Sequence, residues 1–176
     1  MQPTFDDLCT ATTAQLEEIM RRGSAPALEL LAGWEYQGYN HGPLAELIRA
    51  RKFKKGFYFD GRAADTLRGY NVMVRQNGRA RPWIPRLERG QPLRYGLYDA
   101  YPAPAGADAR YPQSLLLNYD CGRNSWFDPS RLLRDYLVQA SPETTDLLLG
   151  KGYGVVGALR VPLGFFILRR HVKVSG

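Results

Sequence analysis

Histidine, cysteine and long apolar runs are all scarce in this chain of 176 residues. The two histidines, His41 and His171, are too few for a zinc cluster and show no His-Glu-x-x-His spacing. No metal or other cofactor is therefore expected. Cys9 and Cys121 stand far apart, and neither belongs to a Cys-x-x-Cys, so two free thiols are expected rather than a disulfide scaffold. No window approaches 18 apolar residues, and the longest apolar stretch, Leu159 to Leu168, is interrupted by Arg160 and Pro162. A membrane-spanning helix is not expected. Met1 to Leu8 lacks both a basic n-region and an apolar h-region, so a secretory signal is not expected and a cytoplasmic location is. Gly-x-Ser-x-Gly does not occur, which leaves serine hydrolysis without an anchor. Gly150-Lys151-Gly152-Tyr153-Gly154 is glycine-rich but lacks phosphate-loop spacing, and reads as a bulged strand or turn.

Aromatic residues and basic charge are abundant. Aromatics make up 12% of the chain, apolar residues 44% and charged residues 23%, proportions that belong to a folded domain. Thr12-x-x-Gln15 is a capping box, Leu16, Ile19 and Met20 share a helical face, and Gly23 is expected to end that helix as a left-handed cap. Residues 1–29 thus read as a helical preface and 30–176 as a β domain. Strands are expected over Leu30–Asn40, Phe53–Phe59 (closed by Asp60-Gly61), Leu67–Gln76 (closed by the hairpin signal Asn77-Gly78), Leu93–Tyr101, Leu115–Asp120, Leu132–Val138, Leu147–Leu149, Gly154–Val161 and Gly164–His171. A helical turn is expected over Pro43–Arg51, and a Pro/Ala/Gly-rich loop over 102–112. Helices do not alternate with strands, so the fold class is mainly β, an antiparallel barrel or sandwich of about eight or nine strands.

The net charge of +7 is concentrated. Arg49 to Arg94 carries 13 basic residues against Asp60, Asp65 and Glu88, an excess of +10, while the rest of the chain is slightly acidic. A solvated strand surface is the plainest reading, with an anionic small ligand or nucleic acid as alternatives. Lys55-Gly56-Phe57-Tyr58-Phe59 resembles the start of an RNA-recognition strand, but Asp60-Gly61 breaks the pattern and the two-helix frame is missing, so nucleic acid is not the expected partner.

Tyr36, Tyr39, Tyr58, Tyr70, Tyr95, Tyr98, Tyr101, Tyr119 and Tyr136 all fall on expected strands. Such a set can line a pocket that is mostly apolar with a few hydroxyl anchors. Tyr36, Lys55, Phe57, Tyr70, Arg75 and Tyr119 are the ligand-binding candidates, with Lys55 or Arg75 orienting an anionic head group. Tyr119, Asp120 and Asp135 are candidates for acid–base work, provided that two of them converge inside the cavity. The plainer expectation for Asp135 is an ion pair with Arg131 or Arg134 at the barrel mouth.

Three segments together resemble the lipocalin-like (calycin) barrels. Gly33-Trp34-Glu35-Tyr36-Gln37-Gly38 is similar to the Gly-x-Trp-x-Gly signature of small bacterial lipocalin-like proteins, with the Trp one place early. Leu115 to Asp120 resembles their mid-chain strand, and Phe165 to Arg170 their last strand. The resemblance implies a barrel that binds a small hydrophobic molecule, with Arg169 packing over Trp34 to close the floor. It does not imply catalysis. A cofactor-free barrel enzyme and a nucleic-acid or protein-binding module are the alternatives.

Overall fold

The computed structural model describes residues 2–61, 65–104 and 110–174. Eight strands close into one antiparallel barrel. In chain order the elements are α1 (Phe5–Thr10), α2 (Thr13–Arg22), α3 (Leu28–Leu31), β1 (Trp34–His41), α4 (Pro43–Leu47), β2 (Lys52–Tyr58), β3 (Leu67–Met73), β4 (Leu87–Glu88), β5 (Gln91–Pro92), β6 (Arg94–Pro102), β7 (Leu115–Asn118), a 3-10 turn (Pro129–Leu132), β8 (Leu133–Ser141), β9 (Thr144–Val156) and β10 (Leu159–Lys173). Each barrel strand pairs with the next, β3 pairs with β6 past the small β4–β5 hairpin, and β1 closes on β10. Closure gives every barrel strand a neighbour on both sides.

Period-two alternation sorts the side chains into two cores. Inside the barrel lie Tyr36, Phe53, Phe57, Leu67, Tyr98, Leu117, Leu137, Leu148, Phe166 and Leu168, with Leu28 and Leu31 of α3 plugging one end. Outside, Tyr136, Val138, Leu149 and Ile167 form a second core under α1 and α2, which bury Phe5, Leu8, Leu16 and Met20. Both helices start at capping boxes, Thr4 with Asp7 and Thr12 with Gln15. α2 is pinned by Lys151, which donates to Glu17 at 2.7 Å, and by Gln113, whose amide donates to the carbonyls of Met20 and Arg21.

Gly69 shows how tightly the lower barrel is packed. A Cβ there would lie 2.1 Å from the Tyr98 ring, whose hydroxyl donates to the Gly56 carbonyl at 2.8 Å. Gly69→Ala is expected to cost about 3 kcal/mol through overpacking, read as a fall in the urea midpoint with an unchanged slope.

Several expectations are corrected. Gly23 is extended (φ −67°, ψ 156°), not left-handed. The chain straightens there because Ser24 accepts a backbone bond from Gln139, and a Cβ at Gly23 would strike Val138. Leu30–Leu31 belongs to α3, and the first strand begins at Trp34. Asn77-Gly78 does not join neighbouring strands. It opens a long excursion, because the Lys52 ammonium gathers the Asn77 side chain and the carbonyls of Gly78, Arg81 and Pro82. The three segments expected after residue 147 are two long strands meeting at Gly157. The glycines at 150, 152 and 154 do not break β9, and the Phe166 ring covers Gly150 from the facing strand. Part of the expected 102–112 loop, residues 105–109, lies outside the described residues.

Candidate functional site

The barrel is closed at one end by α3 and hollow at the other. The hollow end receives the C-terminus of β1, the N-terminus of β2, and the β7–β8 and β9–β10 connections. A cavity of about 310 Å³ lies there, walled by Phe53, Leu133, Leu163 and Phe166 and roofed by Leu44, Ala45 and Ile48 from α4 and its C-terminal flank. Pro43 opens that helix at a position where a missing N–H costs nothing. The Asn40 side chain donates to the Ala50 carbonyl at 2.6 Å, drawing the two ends of the roof together.

Four polar side chains form the floor. Lys55 of β2 points inward because it alternates with Phe53 and Phe57, and Asn71 of β3 does so because it alternates with Leu67 and Gly69. Asp135 shares the inward face of β8 with Leu133 and Leu137, and Tyr119 follows β7. The Lys55 ammonium donates to the Tyr119 hydroxyl at 2.6 Å, and that hydroxyl donates to Asp135 Oδ2 at 2.8 Å. Lys55 Nζ is also 3.5 Å from the same carboxylate oxygen. Asn71 Nδ2 lies 3.5 Å from the Tyr119 hydroxyl and is fixed by the Gly96 carbonyl at 3.0 Å. Opposite Asp135 stands Gly152, where a Cβ would lie 3.1 Å from Oδ1, so the missing side chain gives the carboxylate its room.

Burial governs the electrostatics of this cluster. It lowers Lys55 to about 8, against the attraction of Asp135. It raises Asp135 above the usual aspartate range, against the pull of Lys55 and the hydrogen bond from Tyr119. Tyr119 is held well above an ordinary tyrosine, by burial first and then by the Asp135 charge. Aromatic rings surround the ammonium, with Tyr98 at 4.4 Å, Tyr119 at 5.2 Å and Phe166 at 5.3 Å from ring centroid to Nζ.

No protein-family description, curated protein or solved structure matches this chain.

Lys55, Tyr119 and Asp135 converge on the floor. Asp120 does not, since it faces outward and accepts from Arg131 at 2.7 Å, with Arg134 at 3.6 Å. Arg131 and Arg134 thus serve Asp120, and the expected Arg–Asp135 pair does not form. Tyr36 and Phe57 are inside the barrel but below the cavity, packed edge to face at 5.7 Å between centroids. Tyr70 turns outward under Arg94, whose guanidinium is 3.9 Å from the ring centroid. Arg75 is exposed on the connection after β3 and lies outside the cavity. The floor closure expected of Arg169 belongs to Arg170, 4.8 Å from the Trp34 ring centroid, while Arg169 covers Phe5 and Trp83 on the outer wall. The one-residue bulge in β1–β10 pairing between Glu35 and Tyr36 makes such an offset hard to read from sequence. Asn71, Gly152 and the α4 roof were not expected at the site. Strand parity alone could have flagged Asn71, because Leu67, Gly69 and Asn71 share one face.

Proposed function

We propose that the barrel binds a small molecule with an apolar body and a polar, uncharged head in the cavity beneath α4. One observation carries this reading: a polar floor of Lys55, Tyr119, Asn71 and Asp135 beneath apolar walls. The form is that of small-molecule sites in general, and 310 Å³ is at the small end of their range. An uncharged head fits better than an anionic one, because Asp135 already answers the Lys55 charge. A carbonyl or hydroxyl can accept from Lys55 or Asn71 without adding net charge to a buried site. The closed eight-stranded barrel agrees with the lipocalin-like resemblance of Trp34, Leu115–Asp120 and Phe165–Arg170, which points to the same ligand class.

The test is native mass spectrometry of the purified protein, followed by thermal shift with medium-chain alcohols, ketones and fatty acids. A bound small molecule, or a rise in Tm of several degrees with an alcohol or ketone, is expected. Ligand present at 100 times its Kd stabilises by about 2.7 kcal/mol. No bound species and no shift with any of these compounds would reject the reading.

The same floor favours a second reading, proton transfer on the bound molecule. Lys55 is lowered to about 8 and linked through Tyr119 to Asp135, which burial raises above the usual aspartate range, so an acid and a base share one buried hydrogen-bonded cluster. Exchange of carbon-bound hydrogen for solvent deuterium in a bound ketone would support it. Binding without exchange would leave the protein a carrier.

A further inference from the structure

We infer that the hollow end of the barrel is a docking face for an anionic membrane surface. The inference stands on the outside of that end and is independent of what the cavity holds. Four connections reach this end: residues 42–51, 74–93, 119–132 and 157–158. Large exposed apolar side chains mark all four places. They are Leu47 and Ile48, Leu87, Trp126 and Phe127, and Val156 and Leu159 flanking the last turn. Leu47 is 81% exposed, and Trp126 and Phe127 are each 73% exposed. The Trp126 and Phe127 ring centroids lie 3.6 Å apart with 33° between the planes. Of the exposed large hydrophobics among the described residues, only Leu30, Phe59 and Val172 lie toward the α3 end. A rim of exposed apolar side chains gathered at one end fits an interaction surface.

Charge selects the partner. The connections at the hollow end carry nine arginines against four acids, and Arg49, Arg75, Arg81, Arg86 and Arg89 are exposed. Arg89 is at the tip of the β4–β5 hairpin. At the α3 end the described connecting residues reverse the balance, with Glu29, Asp60, Asp65 and Glu143 against Arg110. The described connections at the two ends are therefore opposite in sign, and the molecule carries its apolar rim at the positive end. Near a negative surface it would turn that rim, and the cavity mouth within it, toward the surface. Nucleic acid would use the arginines but gains nothing from solvated leucine, isoleucine and valine side chains. A bilayer uses both, placing the apolar groups at the headgroup boundary and the arginines among anionic lipids.

Vesicle co-sedimentation with 7:3 phosphatidylcholine:phosphatidylglycerol against pure phosphatidylcholine tests this, alongside a 20-nucleotide single-stranded DNA in the same buffers. Binding to the anionic vesicles, a blue shift of Trp fluorescence and loss of binding at 0.5 M salt are expected. Arg49→Gln/Arg86→Gln/Arg89→Gln should weaken vesicle binding roughly 100-fold. Trp126→Ser/Phe127→Ser should weaken it at least 10-fold and remove the blue shift, because Trp34 and Trp83 are not at this rim. These side chains are exposed, so circular dichroism and Tm should stay at wild-type values in both variants. Failure to bind anionic vesicles at low salt would overturn the inference. So would binding that is indifferent to the Trp126/Phe127 change, or tighter binding to the DNA that only the arginine changes weaken. The last result would identify a nucleic-acid surface instead.

Discussion

Asp135→Asn is expected to lower the Tm by about 10 °C. The change keeps the shape of the side chain and leaves an oxygen for the Tyr119 hydroxyl, but it removes the one charge facing the Lys55 ammonium across 3.5 Å. Lys55 is 1% exposed, so little solvent is available to replace the lost carboxylate. Breaking a buried pair from one side costs about 3–5 kcal/mol, and each kcal/mol moves a domain of this size by about 2–4 °C. The pH dependence identifies the cause. In the folded protein Lys55 titrates near 8, against an unfolded value of 10.5. Between those values the unfolded chain holds more protons than the native one, so Lys55 makes stability rise with pH from about 8 to 10.5. Its full penalty is felt below 8. Without Asp135 the lysine gives up its proton at a still lower pH. The variant's deficit should therefore be large at pH 6 and smaller at pH 9, measured by urea unfolding at both. An equal deficit at the two pH values would mean that Asp135 does not act as the countercharge. Lys55→Met should abolish the alkaline rise itself.

Replacing the whole cluster is expected to do the opposite. Lys55→Met/Tyr119→Phe/Asp135→Leu removes both charges and the hydroxyl between them, so no member is left without its partner, and Asn71 keeps the Gly96 carbonyl. Buried ionic clusters exchanged for apolar side chains of similar volume are commonly as stable or about 1–4 kcal/mol more stable. The triple variant should thus melt at or above the wild-type temperature. Its thermal shift with alcohols and ketones should vanish, and with it any hydrogen exchange in a bound ketone. Stability retained while ligand response is lost would mark the cluster as functional, held against its own desolvation cost. A triple variant as unstable as Asp135→Asn would instead mark it as structural.

The contrast between Asp120 and Asp135 shows how much of the site local sequence can carry. Both follow strand-like segments, both have arginines nearby in the chain, and nothing local separates them. The structure turns Asp120 to solvent beside Arg131 and seats Asp135 between Leu133 and Leu137 on the inward face of β8. Parity was readable for Lys55, between Phe53 and Phe57. It became decisive only when closure brought β2, β3 and β8 around one axis. The arginines of the last strand tell the same story from the other side. Arg169 and Arg170 are adjacent, so they face opposite ways, and a single bulge decides which one reaches Trp34.

Composition and pattern by themselves determined a mainly β, barrel-like chain with a capped helix ahead of it, two free thiols and a basic middle section. Those features come from alternation, turn residues and capping chemistry, which act over a few residues. The tertiary structure alone decided that Lys55, Asn71, Tyr119 and Asp135 meet, that the cavity opens under α4, and that the arginines share one end with an apolar rim. Those facts depend on strand register and barrel closure. A one-residue shift of register moves every side chain to the other face, and no window of sequence short enough to read contains both partners of such a pairing.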